Sequence, residues 1–318
     1  MIVKPAFKER NVPVVFSVDE NYAPYLSVCI CSLISNSSNT NNYDIWILDG
    51  GLTEVGKSQL KALANNRKNI SIRFFDILNF KELKKKNFYI SNHASLANYY
   101  RIFIPKIFFN YEKLIYLDCD LLINADIADL YAIDIGNNVL GVVKDACTYF
   151  DPDFWYKYCL EKVQIKKPYN YFNSGVLICN VKQMIDISLT ERSMQRLKEF
   201  NPVCWDQCIL NSVLENKVKY LPLNWNFQWH WLLPEFAQKH PFKFVEYNFL
   251  QDYLSASKAP NILHYTSQVK PWKRWSTQPA QEWWKYAKKL PIYNDILEKT
   301  GLGQILSKKN IHAERTKK

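Results

Sequence analysis

Two aspartates flank one cysteine in Asp118-Cys119-Asp120, directly after the apolar run Leu114-Ile115-Tyr116-Leu117. In an extended chain, residues two apart share a face, so both carboxylates converge while the Cys119 side chain turns away. Two like charges against a hydrophobic strand repel one another and lose hydration, which raises the cost of keeping both ionised. A divalent cation removes that cost. Oxygen ligands suit Mg²⁺ or Mn²⁺, and a bound diphosphate would complete the coordination shell. A second group of useful residues lies in His264-Tyr265-Thr266-Ser267-Gln268-Val269-Lys270-Pro271-Trp272. His264 offers an imidazole, and Lys270, six residues on, offers a cation for phosphate oxygens. One imidazole with two carboxylates leaves positions open for two phosphate oxygens, and nitrogen ligation favours Mn²⁺. Each motif alone has a plainer reading: a solvated turn for the aspartates, a satisfied core residue for the histidine.

Chemistry of this kind needs a framework that holds distant residues together, and the chain supplies one. Its first half alternates strand-like and helix-like segments: the apolar run VPVVFSV (12–18), helix-compatible spacing over 22–35, YDIWILD (43–49), a helical 53–66 and the strand ISIRFFD (70–76). Such a βαβαβ order with short connections predicts an α/β fold with a mostly parallel sheet covered by helices. KLIYLDCDLLI (113–123) reads as one further strand, VLGVVKD (139–145) as another, and YFNSGVLICN (171–180) as a central one. Beyond residue 180 the pattern turns helical, through 181–199 and 205–215, and from 222 it becomes aromatic and irregular. With no internal repeat and no Gly/Ser linker, the expected organisation is a single α/β domain over 12–270. An aromatic and basic C-terminal lobe over 271–318 would pack on it.

Composition excludes several classes. The 318 residues are 48% hydrophobic and 22% charged, which is a folded globular protein rather than a disordered one. No apolar run approaches the roughly 20 residues of a membrane-spanning helix. The segment MIVKPAFKERNVPVVFSV lacks a signal-peptide pattern, so a cytoplasmic location is expected. Eight cysteines, mostly inside apolar runs and without a CxxC array, read as buried reduced thiols rather than a zinc site. The net charge of +11 does not predict nucleic acid as a partner, because the aromatics and lysines are not interleaved as in a binding motif. Much of the excess is local, in Lys84-Lys85-Lys86, in 270–289 and in the tail from Lys308 to Lys318. That tail suits peripheral contact with an anionic membrane, at about 1 kcal/mol per basic residue near the surface. Trp283, Trp284, Tyr286 and Tyr293 suit a headgroup boundary. The plainer alternative packs these aromatics under the α/β lobe and leaves the tail frayed.

Six segments then combine: FSVDENY (16–22), HASLANYYRIFIP (93–105), YLDCDLLI (116–123), YFNSGVLICN (171–180), WDQCILN (205–211) and HYTSQVKPWKRW (264–275). In this order, over about residues 12–290, the sequence resembles glycosyltransferase family 8, the group that includes glycogenin and the bacterial lipopolysaccharide glucosyl- and galactosyltransferases. The resemblance implies a GT-A-like domain and a metal-dependent, retaining hexosyltransferase with UDP-glucose or UDP-galactose as donor. The implied acceptor is an oligosaccharide or lipid-linked glycan, as in lipopolysaccharide core, reached at the inner face of the cell membrane.

It also implies roles for residues. Ser17, Asp19 and Asn21 contact the uridine and Tyr22 stacks on uracil, at the strand end where open α/β sheets bind nucleotides. The alternative there is a strand-to-helix turn with Asp19 or Asn21 as an N-cap. His93 reaches the diphosphate and Arg101 the donor sugar, while Cys119 sits among the donor-binding residues between the metal-ligating Asp118 and Asp120, with His264 as third ligand. Asn173 binds a sugar hydroxyl, Asp206 and Gln207 face the sugar hydroxyls and the anomeric carbon, and Asp145 is a further acceptor- or donor-side carboxylate. Lys270 keeps its place as phosphate ligand, but Ser267 stands where the family commonly has glycine, which is uncomfortable if that backbone must take φ > 0. Beneath the anomeric carbon, Gln207 is a poor nucleophile, so same-face substitution is favoured over a covalent double displacement. Two rivals stay open: a glycogenin-like self-glucosylating protein, and a non-catalytic glycan- or nucleotide-binding protein.

Overall fold

The computed structural model describes residues 3–84, 88, 95–242 and 245–302. His93, Lys85, Lys86 and the basic tail beyond Leu302 lie outside the described residues. Seven strands form the main sheet: β1 Asn11–Val18, β2 Asn42–Asp49, β3 Ile70–Asp76, β4 Lys113–Leu117, β6 Leu140–Lys144, β7 Phe172–Asn180 and β8 Val218–Tyr220. Their spatial order is β3-β2-β1-β4-β7-β6-β8. Strand β7 alone opposes its neighbours β4 and β6, so the sheet is mostly parallel.

The central strands are buried on both faces, which is why they read as continuous apolar runs rather than alternating ones. The helix Ala23–Asn36 starts with Pro24 in its first turn and buries Leu26, Ile30 and Leu33 at helical spacing. The helix Glu54–Ala62 is capped by Thr53, whose hydroxyl accepts the Gly56 N–H at 3.1 Å. It ends four residues short of the expected 66.

The largest departure falls at the two aspartates. The run 113–123 is not one strand but two, β4 and β5 (Leu121–Ile123), separated by a bend at Asp118-Cys119-Asp120. Strand β5 leaves the main sheet and pairs antiparallel with β10 (Ile262–His264), which in turn pairs with β9 (Phe227–Gln228). The register sets His264 opposite Leu121, one residue from Asp120. Elsewhere, Leu96–Phe103 forms a 3₁₀ helix, and 181–199 breaks into Val181–Asp186 and Leu189–Arg196 around Ser188, held at φ 52°.

One apolar core fills each face of the main sheet, and a third, aromatic one joins Tyr25, Leu122 and residues of 146–171 to those of 227–302. Trp283 is fully buried, and Trp284 donates its indole N–H to the Pro271 carbonyl at 3.0 Å. These two rings therefore fill the lobe and are not presented outward. All eight cysteines are free, and among the described residues no helix is long and apolar enough to cross a membrane.

Candidate active site

The bend after β4 turns both aspartates toward the end of β10. His264 Nε2 lies 3.2 Å from Asp120 Oδ1 and 3.9 Å from Asp118 Oδ2. One ligand atom from each of the three residues falls within 4.8 Å of the others. Gly175, on β7, faces them: a Cβ there would come 2.8 Å from Asp118 Oδ2 and closer still to the imidazole ring. Two carboxylates and an imidazole suit Mn²⁺, with Mg²⁺ less favoured by the nitrogen, and the bare glycine keeps room among them. Lys270 extends its ammonium to Asp120 Oδ2 at 2.5 Å and to the Tyr265 carbonyl at 2.5 Å. Burial pushes the Asp120 carboxyl up, but the Lys270 ammonium outweighs it and holds the group below the usual carboxylate range.

Arg101 joins this cluster to the next. It is buried, with Nη2 on Asp118 Oδ1 at 2.8 Å, Nε on Asp206 Oδ2 at 2.9 Å and its guanidinium 4.3 Å from the Tyr116 ring centre. It also donates to the Ser174 carbonyl. Burial, with the Asp118 charge adding to it and Arg101 pulling the other way, leaves Asp206 pushed up to about 7. Asp206 and Gln207 open the helix Trp205–Val213, whose first residue is held at φ 39°. A tryptophan in the left-handed region is strained by about 1–3 kcal/mol, and here that strain sits beside the site.

Gln207 donates from Nε2 to Asp145 Oδ2 at 3.0 Å and accepts the Ser174 N–H at 3.1 Å. Asp145 Oδ2 also accepts from Asn173 Nδ2 at 3.0 Å. Asn173 Oδ1 accepts from the Gly175 N–H and from Asn226 Nδ2, both at 2.9 Å. Asn226 Oδ1 then meets His264 Nδ1 at 2.7 Å. Asn211, one turn beyond Gln207, clamps the start of β7 by exchanging two 2.8 Å bonds with the Phe172 backbone.

At the end of β1, Ser17 is buried and its carbonyl accepts the Cys119 thiol at 3.0 Å, which ties this strand to the bend at Asp118-Cys119-Asp120. Asp19 Oδ1 accepts the Tyr22 N–H at 3.1 Å, so it shapes the turn into the first helix. Asn21 is exposed. Tyr22 stands partly open, edge-on to Tyr25 and to Trp272, and those two rings stack at 3.8 Å. Ser267 accepts the Val269 N–H through its hydroxyl at 3.1 Å and is not among the described residues with positive φ, so the strain expected for serine there does not arise.

Asp118, Asp120, His264, Lys270 and Arg101 thus meet in one cluster, and Asp206, Gln207, Asn173 and Asp145 join it by the contacts above. Sequence reasoning missed Ser174, Gly175, Asn211, Asn226 and His230. The signal for part of this set was present: in Asn226-Phe-Gln-Trp-His-Trp231, polar and aromatic residues alternate, and Asn226, Gln228 and His230 are all buried. His230 bonds Thr266 Oγ1 at 2.9 Å, and burial, with the Lys270 charge adding to it, pushes it down to about 3.

A family model described as glycosyl transferase family 8 matches residues 13–276. A Haemophilus influenzae protein named, as an unproven assignment, a glycosyltransferase is 32% identical over 222 residues, covering 69% of this chain and 64% of its own. The lipopolysaccharide 1,2-glucosyltransferase of Escherichia coli is 26% identical over 282 residues, covering 86% of this chain and 76% of its own. Among solved structures, the WbbM bifunctional glycosyltransferase superposes with a TM-score of 0.83 at 28% identity, over 94% of this chain and 53% of that one. This chain therefore spans under two thirds of the Haemophilus relative and about half of WbbM. The match over most of its length, on a GT-A-like fold, makes the chain a member of glycosyltransferase family 8.

Proposed function

We propose that this protein is a metal-dependent, retaining hexosyltransferase that moves glucose or galactose from a UDP-sugar to a glycan, with lipopolysaccharide core or another surface glycan as acceptor. The observation that carries this reading is the convergence of Asp118, Asp120 and His264 within 4.8 Å, with the Lys270 ammonium on Asp120. The E. coli relative's name supports the acceptor class. Residues 12–270 would form the catalytic domain and 271–318 its extension.

Asp118, Asp120 and His264 are the residues that would hold Mn²⁺ or Mg²⁺. When bound, such a cation supplies positive charge against the diphosphate of departing UDP. Lys270 adds a second positive charge at the same place. Tyr22 offers a partly exposed ring for the base, beside the Tyr25–Trp272 stack. Asn173, Asp206, Gln207 and Asp145 form the adjoining polar wall for sugar hydroxyls. An amide with both ends held by Asp145 and Ser174 is a poor nucleophile, so Gln207 favours same-face substitution. In that step the acceptor oxygen bonds to the anomeric carbon as the bond to UDP breaks, and a leaving phosphate oxygen takes the acceptor's proton.

The test is UDP release from a panel of UDP-sugars with Mn²⁺, with and without a lipopolysaccharide-core acceptor. Release from a UDP-hexose that chelator abolishes and acceptor accelerates is the expected result. Indifference to chelator, or no release from any UDP-hexose, would refute the reading.

A further inference from the structure

We infer that Asn226 is a positioning residue of the metal centre: through Asn173 and Asp145 it holds the hydrogen of His264 on Nδ1, so that Nε2 is the ring atom free to take a cation. The inference rests on reading Asp118, Asp120 and His264 as a metal centre.

A neutral imidazole has one N–H and one bare nitrogen, and the partner of either ring atom decides which is which. The partner of His264 Nδ1 is the Asn226 side-chain amide, which can present either oxygen or NH₂. Its orientation follows from groups whose polarity is fixed. The Gly175 backbone N–H can only donate, and it points at Asn173 Oδ1 at 2.9 Å. The Asp145 carboxylate accepts, from the Cys147 N–H at 3.0 Å and from Gln207 Nε2 at 3.0 Å, and Asn173 gives it Nδ2 at 3.0 Å. Both ends of Asn173 are thereby set, and its oxygen faces Asn226. Asn226 must answer with NH₂, at 2.9 Å, which leaves its own oxygen toward His264 Nδ1 at 2.7 Å. An oxygen there requires a hydrogen on Nδ1.

Turning Asn173 over would set like against like at Gly175, at Asp145 and at Asn226, and turning Asn226 over would set its oxygen against Asn173 Oδ1. Asn226, Asn173 and His264 are 1%, 6% and 3% exposed, so solvent does not repair such a mismatch. The opposite tautomer would aim an N–H at Asp120 Oδ1, 3.2 Å away, and satisfy the carboxylate with no cation present. Asn226 works against that outcome. Asp145 is the common anchor, since it fixes the Gln207 amide on one side and the His264 tautomer on the other.

The direct test is the ¹⁵N spectrum of His264 in the full chain with metal removed, at a pH where the ring is neutral. The expected result is a hydrogen on Nδ1 and none on Nε2; a hydrogen on Nε2 overturns the inference. Asn226→Leu, which removes the acceptor, should weaken Mn²⁺ binding about 10–100-fold, the usual effect of losing an outer partner of a metal-bound histidine. Asn226→Gln retains both an oxygen for Nδ1–H and an NH₂ for Asn173 Oδ1 and should lose clearly less affinity than Asn226→Leu, read by electron paramagnetic resonance of free Mn²⁺. Equal losses in both variants would mark Asn226 as a packing residue and sink the proposal. If Asn226→Leu does not fold, the spectrum of the unsubstituted protein still decides. A protein that binds Mn²⁺ with this tautomer yet consumes no UDP-sugar would refute the transferase reading alone, and a working transferase with hydrogen on Nε2 would refute this inference alone.

Discussion

Lys270 already stands inside the charge cluster, with Asp120 and the Tyr265 carbonyl as partners, and on the proposed reading its ammonium would add to the positive charge facing a diphosphate. Lys270→Ala should raise KM for the UDP-sugar about 10–100-fold and lower kcat, the scale of one charge-assisted hydrogen bond. Steady-state kinetics check this, and a variant that is less stable but kinetically unchanged would make Lys270 a structural residue. Asp206 gives a pH signature. Its carboxyl is pushed up to about 7 in the folded protein, against about 3.9 in an unfolded chain, so the folded state binds this proton more tightly. Its contribution to stability is then whole below pH 4 and lost as pH rises through 7. Asp206→Asn cannot ionise, so the stability of the unsubstituted protein relative to this variant should fall between pH 4 and 7 and level off above 8. Urea unfolding at several pH values measures it; a relative stability that climbs with pH contradicts the assignment. The aspartate pair was legible because its spacing is short and its chemistry unusual. Asn226 and Ser174 were not, because a lone amide or hydroxyl in a sequence does not say what it bonds.

At the scale of elements, β4 and β5 show what periodicity leaves out. Apolar residues continue on both sides of Asp118-Cys119-Asp120, so the run reads as one strand, and only pairing with β10 reveals a change of sheet. That change directs Asp120 at His264. Strand β7 supplies the facing wall, and Gly175 is the position where its backbone approaches most closely. Gly175→Ala would force a methyl against Asp118 and the His264 ring. We expect it to weaken Mn²⁺ binding at least about tenfold, with about 1–3 kcal/mol of lost stability from overpacking. Mn²⁺ titration beside thermal unfolding tests this, and metal affinity equal to that of the unsubstituted protein would mean the clearance is not used. The βαβ units at 11–76 were readable because buried parallel strands and amphipathic helices have distinct periods. The stretch after 222 was not, since its short strands and 3₁₀ turns have no period, and its order comes from aromatic packing with the rest of the lobe.

For the whole molecule, the +11 charge and the lobe bear on where the protein works. Trp283 and Trp284 are committed to the core, so any attraction to anionic lipid at this end would fall to lysines, both those exposed at Lys285, Lys288 and Lys289 and those of the basic tail. Deleting 305–318 should lower salt-sensitive binding to phosphatidylglycerol vesicles and leave transfer to a short soluble acceptor unchanged. Equal vesicle binding at low salt by truncated and full-length protein would end the idea. The site itself spans the chain: Lys270 meets Asp120 across 150 residues, and Lys299 reaches the Asn21 carbonyl across 278. Contacts so far apart in sequence close large loops and come late in folding. During synthesis, the sheet's first strands can assemble while the chain still lacks β10, and such a nascent protein carries both aspartates without the histidine and lysine that complete them. On the proposed reading, competence to hold the cation and its diphosphate would be acquired only once β10 and Lys270 have joined the fold, which would make that event a report that the sheets have closed on one another.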